Sequence, residues 1–186
     1  MASQGITGTP SAWVARFAPL VPEGEVLDLA CGGGRHARLF AAKGHPVLAV
    51  DRDLAALESA GGQGIATRAF DLEAEDMEWP FEESRFAGIV VTNYLHRPLF
   101  PHLFRSLAPG GILLYETFAA GNEQFGKPSN PAFLLRQGEL LERVAEEDGL
   151  RVIAFEDGYV DGPKAAMVQR ICVLKPLAEP RLCRIA

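Results

Sequence analysis

The sequence has few cysteines, no excess of positive charge and no long apolar run, and each shortage excludes a class of protein. Cys31, Cys172 and Cys183 are an odd, widely spaced set without zinc-ligand spacing, so we expect reduced thiols and a cytoplasmic protein. No stretch reaches the ~18 apolar residues of a membrane span, and no signal peptide is visible. The 24 acidic and 18 basic residues give a net charge of −6, which provides no broad field to attract nucleic acid.

The composition that remains suits one globular domain. The 186 residues are too few for two full-size domains, and 48% hydrophobic residues with 23% charged residues is typical of a folded chain. A chain of this size buries roughly 70% of the surface of its unfolded form, so it needs neither disulfides nor a metal to fold. We expect a single domain over 1–186, with a loose N-terminus at 1–9 and a C-terminal tail at 176–186.

Stretches with strand-like patterns alternate with stretches of helical periodicity. This alternation predicts an α/β fold in which a mostly parallel sheet has helices on both faces. Ligands of such sheets bind beyond the carboxyl ends of the strands, so the residues after each strand are candidates for the site. The last two strands are close enough in sequence to form a hairpin. Strands are expected at 25–30, 46–50, 65–70, 86–92, 112–118, 150–155 and 167–174. A short N-terminal helix should place Trp13, Val14 and Phe17 on one face. Further helices are expected at 35–43, at 99–108 and at 137–148, and another should begin at residue 54.

A glycine-rich loop follows the first strand, in the segment Val26-Leu-Asp-Leu-Ala-Cys-Gly-Gly-Gly-Arg-His-Ala37. Gly32 and Gly34 allow the backbone to turn sharply and to approach a ligand closely, and the next helix points its N–H groups toward that ligand. A plain tight turn between strand and helix is the alternative to a binding loop. By itself the glycine spacing also fits nicotinamide and flavin binders.

Three carboxylates, Asp28 near the end of the first strand and Asp51 and Asp71 after the second and third, narrow the choice of ligand. Asp28 would repel the pyrophosphate of a dinucleotide, whereas it could meet the ammonium of S-adenosylmethionine (SAM); alternatively it caps N–H groups of its own loop. Asp51 stands where an acid accepts hydrogen bonds from ribose hydroxyls, which fits SAM and NAD equally. Asp71 could bind an adenine amino group, and a plain loop carboxylate is the alternative.

With these pieces the sequence resembles the class I SAM-dependent methyltransferases, near the small bacterial tellurite-resistance B group. The matching segments are Val26 to Gly34, Val50-Asp51, Phe70-Asp-Leu72, Phe86 to Leu95 and Leu107-Ala-Pro-Gly-Gly-Ile-Leu-Leu-Tyr-Glu116, in the order of that family. Ala30 stands where the family has its first glycine. The resemblance implies a Rossmann-like, seven-stranded sheet of order 3-2-1-4-5-7-6 with the seventh strand antiparallel, and SAM as cofactor.

The resemblance also implies roles by position. The glycines would lie beside the amino-acid part of SAM, Asp51 on the ribose, Asp71 and Leu72 at the adenine, and 93–95 beneath the sulfonium. The expected cofactor-binding residues are Asp28, Ala30, Gly32, Gly34, Asp51, Arg52, Asp71, Leu72, Asn93 and Tyr94.

Candidates for the substrate side follow the fourth and fifth strands. Tyr94 and His96 could position a nucleophile or accept its proton, and Arg97 could bind an acidic substrate, although capping and solvent exposure would also explain His96 and Arg97. Tyr115 ends the fifth strand. The segment 118–131 is long and patterned, so we interpret it as a lid over the substrate, with a surface loop as the alternative. Arg136 could also reach the pocket.

The sequence therefore predicts an enzyme that transfers a methyl group in line from SAM to a small molecule. Two other functions stay open: a nicotinamide-dependent oxidoreductase, and a non-catalytic SAM-binding or partner protein. No metal is expected, since His36, His45, His96 and His102 are scattered. Neither a membrane nor nucleic acid is an expected partner. The methyl acceptor and the oligomeric state are left open.

Overall fold

The computed structural model describes residues 8–177, and the segments 1–7 and 178–186 lie outside the described part. The expected loose N-terminus and C-terminal tail, with Cys183, fall almost entirely in those two segments. The described residues form a seven-stranded sheet in the order β3-β2-β1-β4-β5-β7-β6. This order confirms the predicted fold class. The strands are β1 (Val26–Leu29), β2 (Val47–Asp51), β3 (Ile65–Ala69), β4 (Phe86–Thr92), β5 (Leu107–Phe118), β6 (Arg151–Val160) and β7 (Ala166–Leu174).

The first five strands are parallel, and β7 runs antiparallel to both β5 and β6. The parallel strands β1, β2, β4 and β5 bring their carboxyl ends to one edge of the sheet. The loops after these strands therefore lie side by side, as ligand-binding loops do in open α/β sheets. The expected hairpin of the last two strands is confirmed by the β6–β7 pairing.

Alternating side chains of the central strands divide the core into two layers. The helices are α1 (Ala12–Phe17), α2 (Arg35–Ala42), α3 (Leu54–Ala60), α4 (Phe100–Ser106) and α5 (Glu139–Ala145). Leu27 and Ile89 pack in one layer with Phe100 and Leu140, whereas Val26 packs in the other layer with α1 and α2. In the described part of the chain, no helix combines the length and apolarity needed to cross a membrane.

Strand β5 differs most from the sequence expectation. A helix was expected to continue to residue 108 and a strand to begin at 112, but α4 ends at Ser106 and β5 begins at Leu107. Leu107 pairs with Phe86, and the N–H of Gly110 donates to the carbonyl of Lys175 at 2.6 Å. Pairing with both neighbouring strands therefore extends β5 through a segment that contains Pro109 and two glycines.

Candidate functional site

A cleft of about 340 Å³ opens at the carboxyl ends of the parallel strands. It lies where the strand order reverses between β1 and β4, as expected for a ligand site. Of the predicted site residues, the structure brings seven to this cleft. Its lining consists of Ala30, Asp51, Arg52, Phe70, Asp71, Leu72, Glu73, Asn93, Tyr94, Leu95, Thr117, Phe118, Pro128 and Phe133.

The glycine loop gives its two predicted glycines different surroundings. Gly32 has a positive φ of 51°, and a Cβ added there would meet no atom within 4 Å, so its backbone faces open space. Gly34 has a φ of 73°, and a Cβ there would lie 2.7 Å from the Cα of Ala60. Gly32 thus offers a close approach to a ligand, while Gly34 permits α2 to pack against α3.

Asp28 lies beneath the glycine loop and does not line the cleft. Its Oδ2 accepts the N–H of Ala37 at 2.8 Å, which is the capping alternative left open by the sequence. Burial raises the pKa of Asp28 to about 7, although the bond from Ala37 opposes that shift. The carboxyl group therefore titrates near neutral pH in the folded protein.

Asp51 and Asp71 present carboxylates at the ends of β2 and β3. The Oδ2 of Asp51 accepts the N–H of Gly32 at 2.8 Å, and its Oδ1 accepts the N–H of Asp53 at 2.9 Å. Asp71 accepts the N–H of Glu73 at 3.0 Å. Asp51 is thereby held in a fixed orientation, and each of its oxygens keeps a lone pair for a ligand.

Asn93 and Tyr94 follow β4 and line the middle of the cleft. Asn93 has a φ of 56°, which turns the chain sharply after the strand. The hydroxyl of Tyr94 is buried without a hydrogen-bond partner among residues 8–177. Burial, followed by the charge of nearby Glu73, raises the pKa of Tyr94.

Four of the predicted substrate-side residues do not line the cleft. Tyr115 is buried, stacks on Phe100 and donates its hydroxyl to the carbonyl of Tyr94 at 2.8 Å. Arg97 donates to Glu139 at 2.7 Å and to the carbonyls of Ala132 and Leu134.

Arg136 is exposed and pairs with Glu142 at 2.7 Å. His96 is half-buried at the start of a 3-10 turn. The structure thus does not gather His96, Tyr115 and Arg136 around a common space. Tyr115 and Arg97 instead hold the loops that form the cleft.

Sequence reasoning missed the apolar wall of the cleft. Thr117 and Phe118 end β5, and Pro128 and Phe133 come from the segment that follows it. We call residues 118–135 the strap. Phe118 and Pro128 fall within the expected lid at 118–131, and Phe133 lies just beyond it. The available signal was a large aromatic side chain in an irregular segment directly after a strand end.

The strap is fixed near both ends by polar side chains, of which Asn122 is buried and Arg97 is half-buried. Asn122 donates from its amide nitrogen to the carbonyl of Pro128 at 2.9 Å, and its oxygen accepts the N–H of Met167 at 3.2 Å. Arg97 holds the other end through the carbonyls of Ala132 and Leu134. The strap is therefore a packed part of the cleft wall.

The N-terminal helix is docked on the same edge of the sheet. Ser11 caps α1, donates its hydroxyl to Glu116 at 3.0 Å and donates its N–H to His36 at 3.1 Å. Burial, together with the charge of Arg35, lowers the pKa of His36 to about 3, so His36 is a neutral acceptor at neutral pH. Trp13 is buried in the core, as the sequence predicted.

The family comparison decides between the nucleotide binders that share this fold. A family model described as "Methyltransferase domain" matches residues 4–154, which is most of the chain. The chain belongs to this methyltransferase family. Membership confirms the predicted enzyme class and the predicted cofactor, SAM.

Two curated relatives match the methyltransferase domain over part of their length. A protein-L-isoaspartate O-methyltransferase of Chlorobaculum tepidum is 32% identical over 127 residues, covering 66% of this chain and 55% of the relative. A trans-aconitate 2-methyltransferase of Methylobacterium radiotolerans is 31% identical over 169 residues, covering 79% of this chain and 64% of the relative. The chain thus spans between half and two thirds of the length of these relatives.

Solved structures share the fold of the methyltransferase domain at low sequence identity. TehB from Haemophilus influenzae is 18% identical with a TM-score of 0.70, covering 87% of this chain and 61% of that one. A SAM-dependent methyltransferase from Methanosarcina mazei is 16% identical with a TM-score of 0.67, covering 87% of this chain and 97% of that one. These likenesses concern the fold alone.

The residues of the cleft fit SAM. The open space over Gly32 is a cradle that a Cβ would partly fill, and Asp51, which accepts the N–H of Gly32, lines the adjoining cleft. Apolar side chains of Phe70, Leu72 and Leu95 can cover a planar base. No group of three or more possible metal ligands occurs among the described residues 8–177.

Proposed function

We propose that this protein is a SAM-dependent methyltransferase that acts on a small molecule. The observation that carries the proposal is the hydrogen bond between the open backbone at Gly32 and the anchored carboxylate of Asp51, which lines the cleft. Family membership supports the methyltransferase activity, and the name of one curated relative, a trans-aconitate 2-methyltransferase, supports a small-molecule acceptor.

In this proposal each part of the cleft binds one part of the cofactor. Asp51 accepts hydrogen bonds from the ribose hydroxyls, with Arg52 beside it, and Gly32 admits the amino-acid part. Asp71 and Leu72 lie at the adenine. Ala30, Asn93 and the backbone of Tyr94 border the sulfonium, whereas Asp28 and Gly34 support the glycine loop from behind.

The protein contributes alignment and exclusion of water. The cofactor supplies an electrophilic methyl group, so the residues around it need only hold the acceptor in line and keep the site dry. The strap and the residues after β4 enclose that region, with Phe118, Pro128 and Phe133 on one side and Asn93 on the other. The tie between Arg97 and Glu139 keeps this wall in place.

Calorimetry with S-adenosylhomocysteine (SAH) tests the proposal. We expect wild-type protein to bind SAH, and Asp51→Asn to lose at least about tenfold in affinity because one charged acceptor is removed. Asp53→Asn is the matched control: Asp53 caps α3 outside the cleft lining, and asparagine caps equally well. Absence of SAH binding by the wild type, or preferential binding of NADH, would refute the proposal.

A turnover assay separates an enzyme from a protein that only binds SAM. Transfer of a labelled methyl group to any acceptor of a small-molecule panel supports the enzyme.

We also propose a single domain over 1–186 in a reducing cytoplasm, in keeping with the free, buried thiols of Cys31 and Cys172. We also propose the grouping near the small bacterial tellurite-resistance B methyltransferases that the sequence motifs imply. Neither a membrane nor nucleic acid is a proposed partner.

A further inference from the structure

The turn after β4 lines the middle of the cleft and has an uncommon backbone conformation. We call residues 93–95 the β4 turn, and all three of them line the cleft. Asn93 has a φ of 56°, in the left-handed region that few residues other than glycine adopt. Such a conformation persists where the surrounding structure enforces it, and it is frequent at functional sites. The contacts that enforce it therefore shape the cleft.

Strand β5 holds the β4 turn through two neighbouring residues. The N–H of Asn93 donates to the carbonyl of Glu116 at 2.9 Å, which continues the pairing of β4 with β5. The hydroxyl of Tyr115 donates to the carbonyl of Tyr94 at 2.8 Å. Within residues 8–177, no other side chain bonds the backbone of the β4 turn. Tyr115 thus fixes the turn beyond the point where the strand pairing ends.

Tyr115 is itself held in one orientation. It is 2% exposed, its ring stacks on Phe100 with 5.2 Å between the centroids, and its backbone pairs with Val91 of β4. Burial raises the pKa of Tyr115, so its hydroxyl keeps its proton at neutral pH and remains a donor. Tyr115 does not line the cleft, so it acts on a ligand there through the carbonyl of Tyr94 and not by direct contact.

We propose that Tyr115 is a positioning residue for the cofactor, because its hydroxyl keeps the β4 turn in the left-handed conformation that binds SAM. The inference rests on the proposed function, which places Asn93 and the backbone of Tyr94 at the sulfonium. Without the hydroxyl, the carbonyl of Tyr94 is free to turn toward another donor, and the β4 turn then populates further conformations. A ligand that binds one of these conformations loses affinity in proportion to the population of the others.

A positioning residue and a residue that only stabilises the fold differ in what their loss changes. Loss of a stabilising contact lowers the free energy of unfolding, but it leaves ligand affinity unchanged as long as nearly all molecules are folded. Loss of a positioning contact weakens the ligand within the folded protein. Tyr115→Phe separates the two roles, since it removes one oxygen and keeps the ring that stacks on Phe100.

The first test is calorimetry with SAH at neutral pH, with urea unfolding to establish that each variant is folded. We expect Tyr115→Phe to bind SAH about fivefold more weakly than wild type, which corresponds to one hydrogen bond. Tyr159→Phe is the matched control, because Tyr159 is exposed, contacts Phe125 and lies outside the cleft lining; its SAH affinity should equal that of wild type. Unchanged SAH affinity in a folded Tyr115→Phe variant would overturn the inference. Absence of SAH binding by wild type would instead refute the proposed function.

The second test leaves Tyr115 in place and changes the conformational preference of the turn. Asn93→Gly and Asn93→Ala remove the same amide, but glycine adopts a φ of 56° freely whereas alanine does not. We expect Asn93→Ala to bind SAH at least about threefold more weakly than Asn93→Gly, and the ratio to grow when Tyr115→Phe is added.

Ser84 provides the control for this pair of variants. It has the same φ of 56°, is exposed and lies outside the cleft lining, so Ser84→Ala and Ser84→Gly should bind SAH equally. Equal SAH affinities of Asn93→Ala and Asn93→Gly, with or without Tyr115→Phe, would show that cofactor binding does not depend on the left-handed turn. That result would overturn the role proposed for Tyr115.

Discussion

Gly32 and Gly34 lie in one loop and both have a positive φ, but we expect Gly32 to serve ligand binding and Gly34 to serve folding. We predict that Gly32→Ala costs only about 1 kcal/mol of stability, from its φ of 51°, yet reduces SAH affinity at least tenfold, because the new Cβ enters the open cradle. Gly34→Ala should cost 2 kcal/mol or more, since its Cβ would lie 2.7 Å from Ala60. Urea unfolding and calorimetry measure the two effects.

Gly44→Ala is the control for backbone strain alone. Gly44 has a φ of 92° and no atom within 4 Å of its added Cβ, and it lies outside the cleft lining. It should lose about 1 kcal/mol and keep full SAH affinity. If Gly32→Ala bound SAH as tightly as Gly44→Ala does, the glycine loop would not be the cofactor cradle. Ala30 already adopts a φ of 52° in the native chain, which shows that alanine is tolerated in this loop.

Side-chain direction explains which site residues could be predicted from the sequence. Asp51, Asp71 and Asn93 follow strands and reach the cleft, because the strand ends share one edge of the sheet. Tyr115 also lies near a strand end, but its side chain points into the core against Phe100. Strand position alone does not reveal which face of β5 becomes core.

At the scale of elements, contacts between residues far apart in the sequence could not be predicted either. The strand and helix pattern predicted the sheet, because its apolar alternation is local. Arg97, however, pairs with Glu139, 42 residues further along the chain. Nothing in the sequence around Arg97 distinguishes a substrate-binding arginine from one that ties the strap to α5.

This ion pair holds the strap against the body of the fold. Glu139 is fully buried, and burial alone would raise its pKa, but hydrogen bonds from Arg97 and from the N–H of Arg136 lower it to about 2. Arg97→Met should cost roughly 1.5–3 kcal/mol in urea unfolding, because it removes the shortest ion pair of a buried carboxylate that keeps the weaker contacts of Arg143 at 3.5 Å and Arg136 at 3.7 Å. The stabilisation of the fold by this ion pair should be complete above pH 4.5 and should be lost as the pH falls toward 2.

The double variant Arg97→Met/Glu139→Gln shows whether Arg97→Met loses stability because the charge of Glu139 loses its main partner or because packing is lost. Glutamine keeps an acceptor for the N–H of Arg136 but carries no charge. We expect the double variant to recover part of the stability lost by Arg97→Met alone. A double variant less stable than the single one would show that the pair acts chiefly through contacts and not through charge.

At the scale of the whole molecule, the fold places one buried acid where its titration affects global stability. Asp28 lies in the central strand β1, under the loop that joins β1 to α2, and burial raises its pKa from 3.8 to about 7. Between these pH values Asp28 binds more protons in the folded protein than in the unfolded chain, so the contribution of Asp28 to the free energy of unfolding falls as pH rises. A shift of three units corresponds to roughly 4 kcal/mol.

We predict that Asp28→Asn removes this fall of the free energy of unfolding with rising pH. Asparagine keeps an acceptor for the N–H of Ala37 without a charge, so the variant should gain stability relative to wild type as pH rises from 4 to 7. Urea unfolding at intervals across that range measures the difference, in which titration of all other groups cancels. Asp53→Asn, at an exposed helix cap, should run parallel to wild type. Parallel curves for wild type and Asp28→Asn would show that Asp28 is ionised in the folded protein at all these pH values.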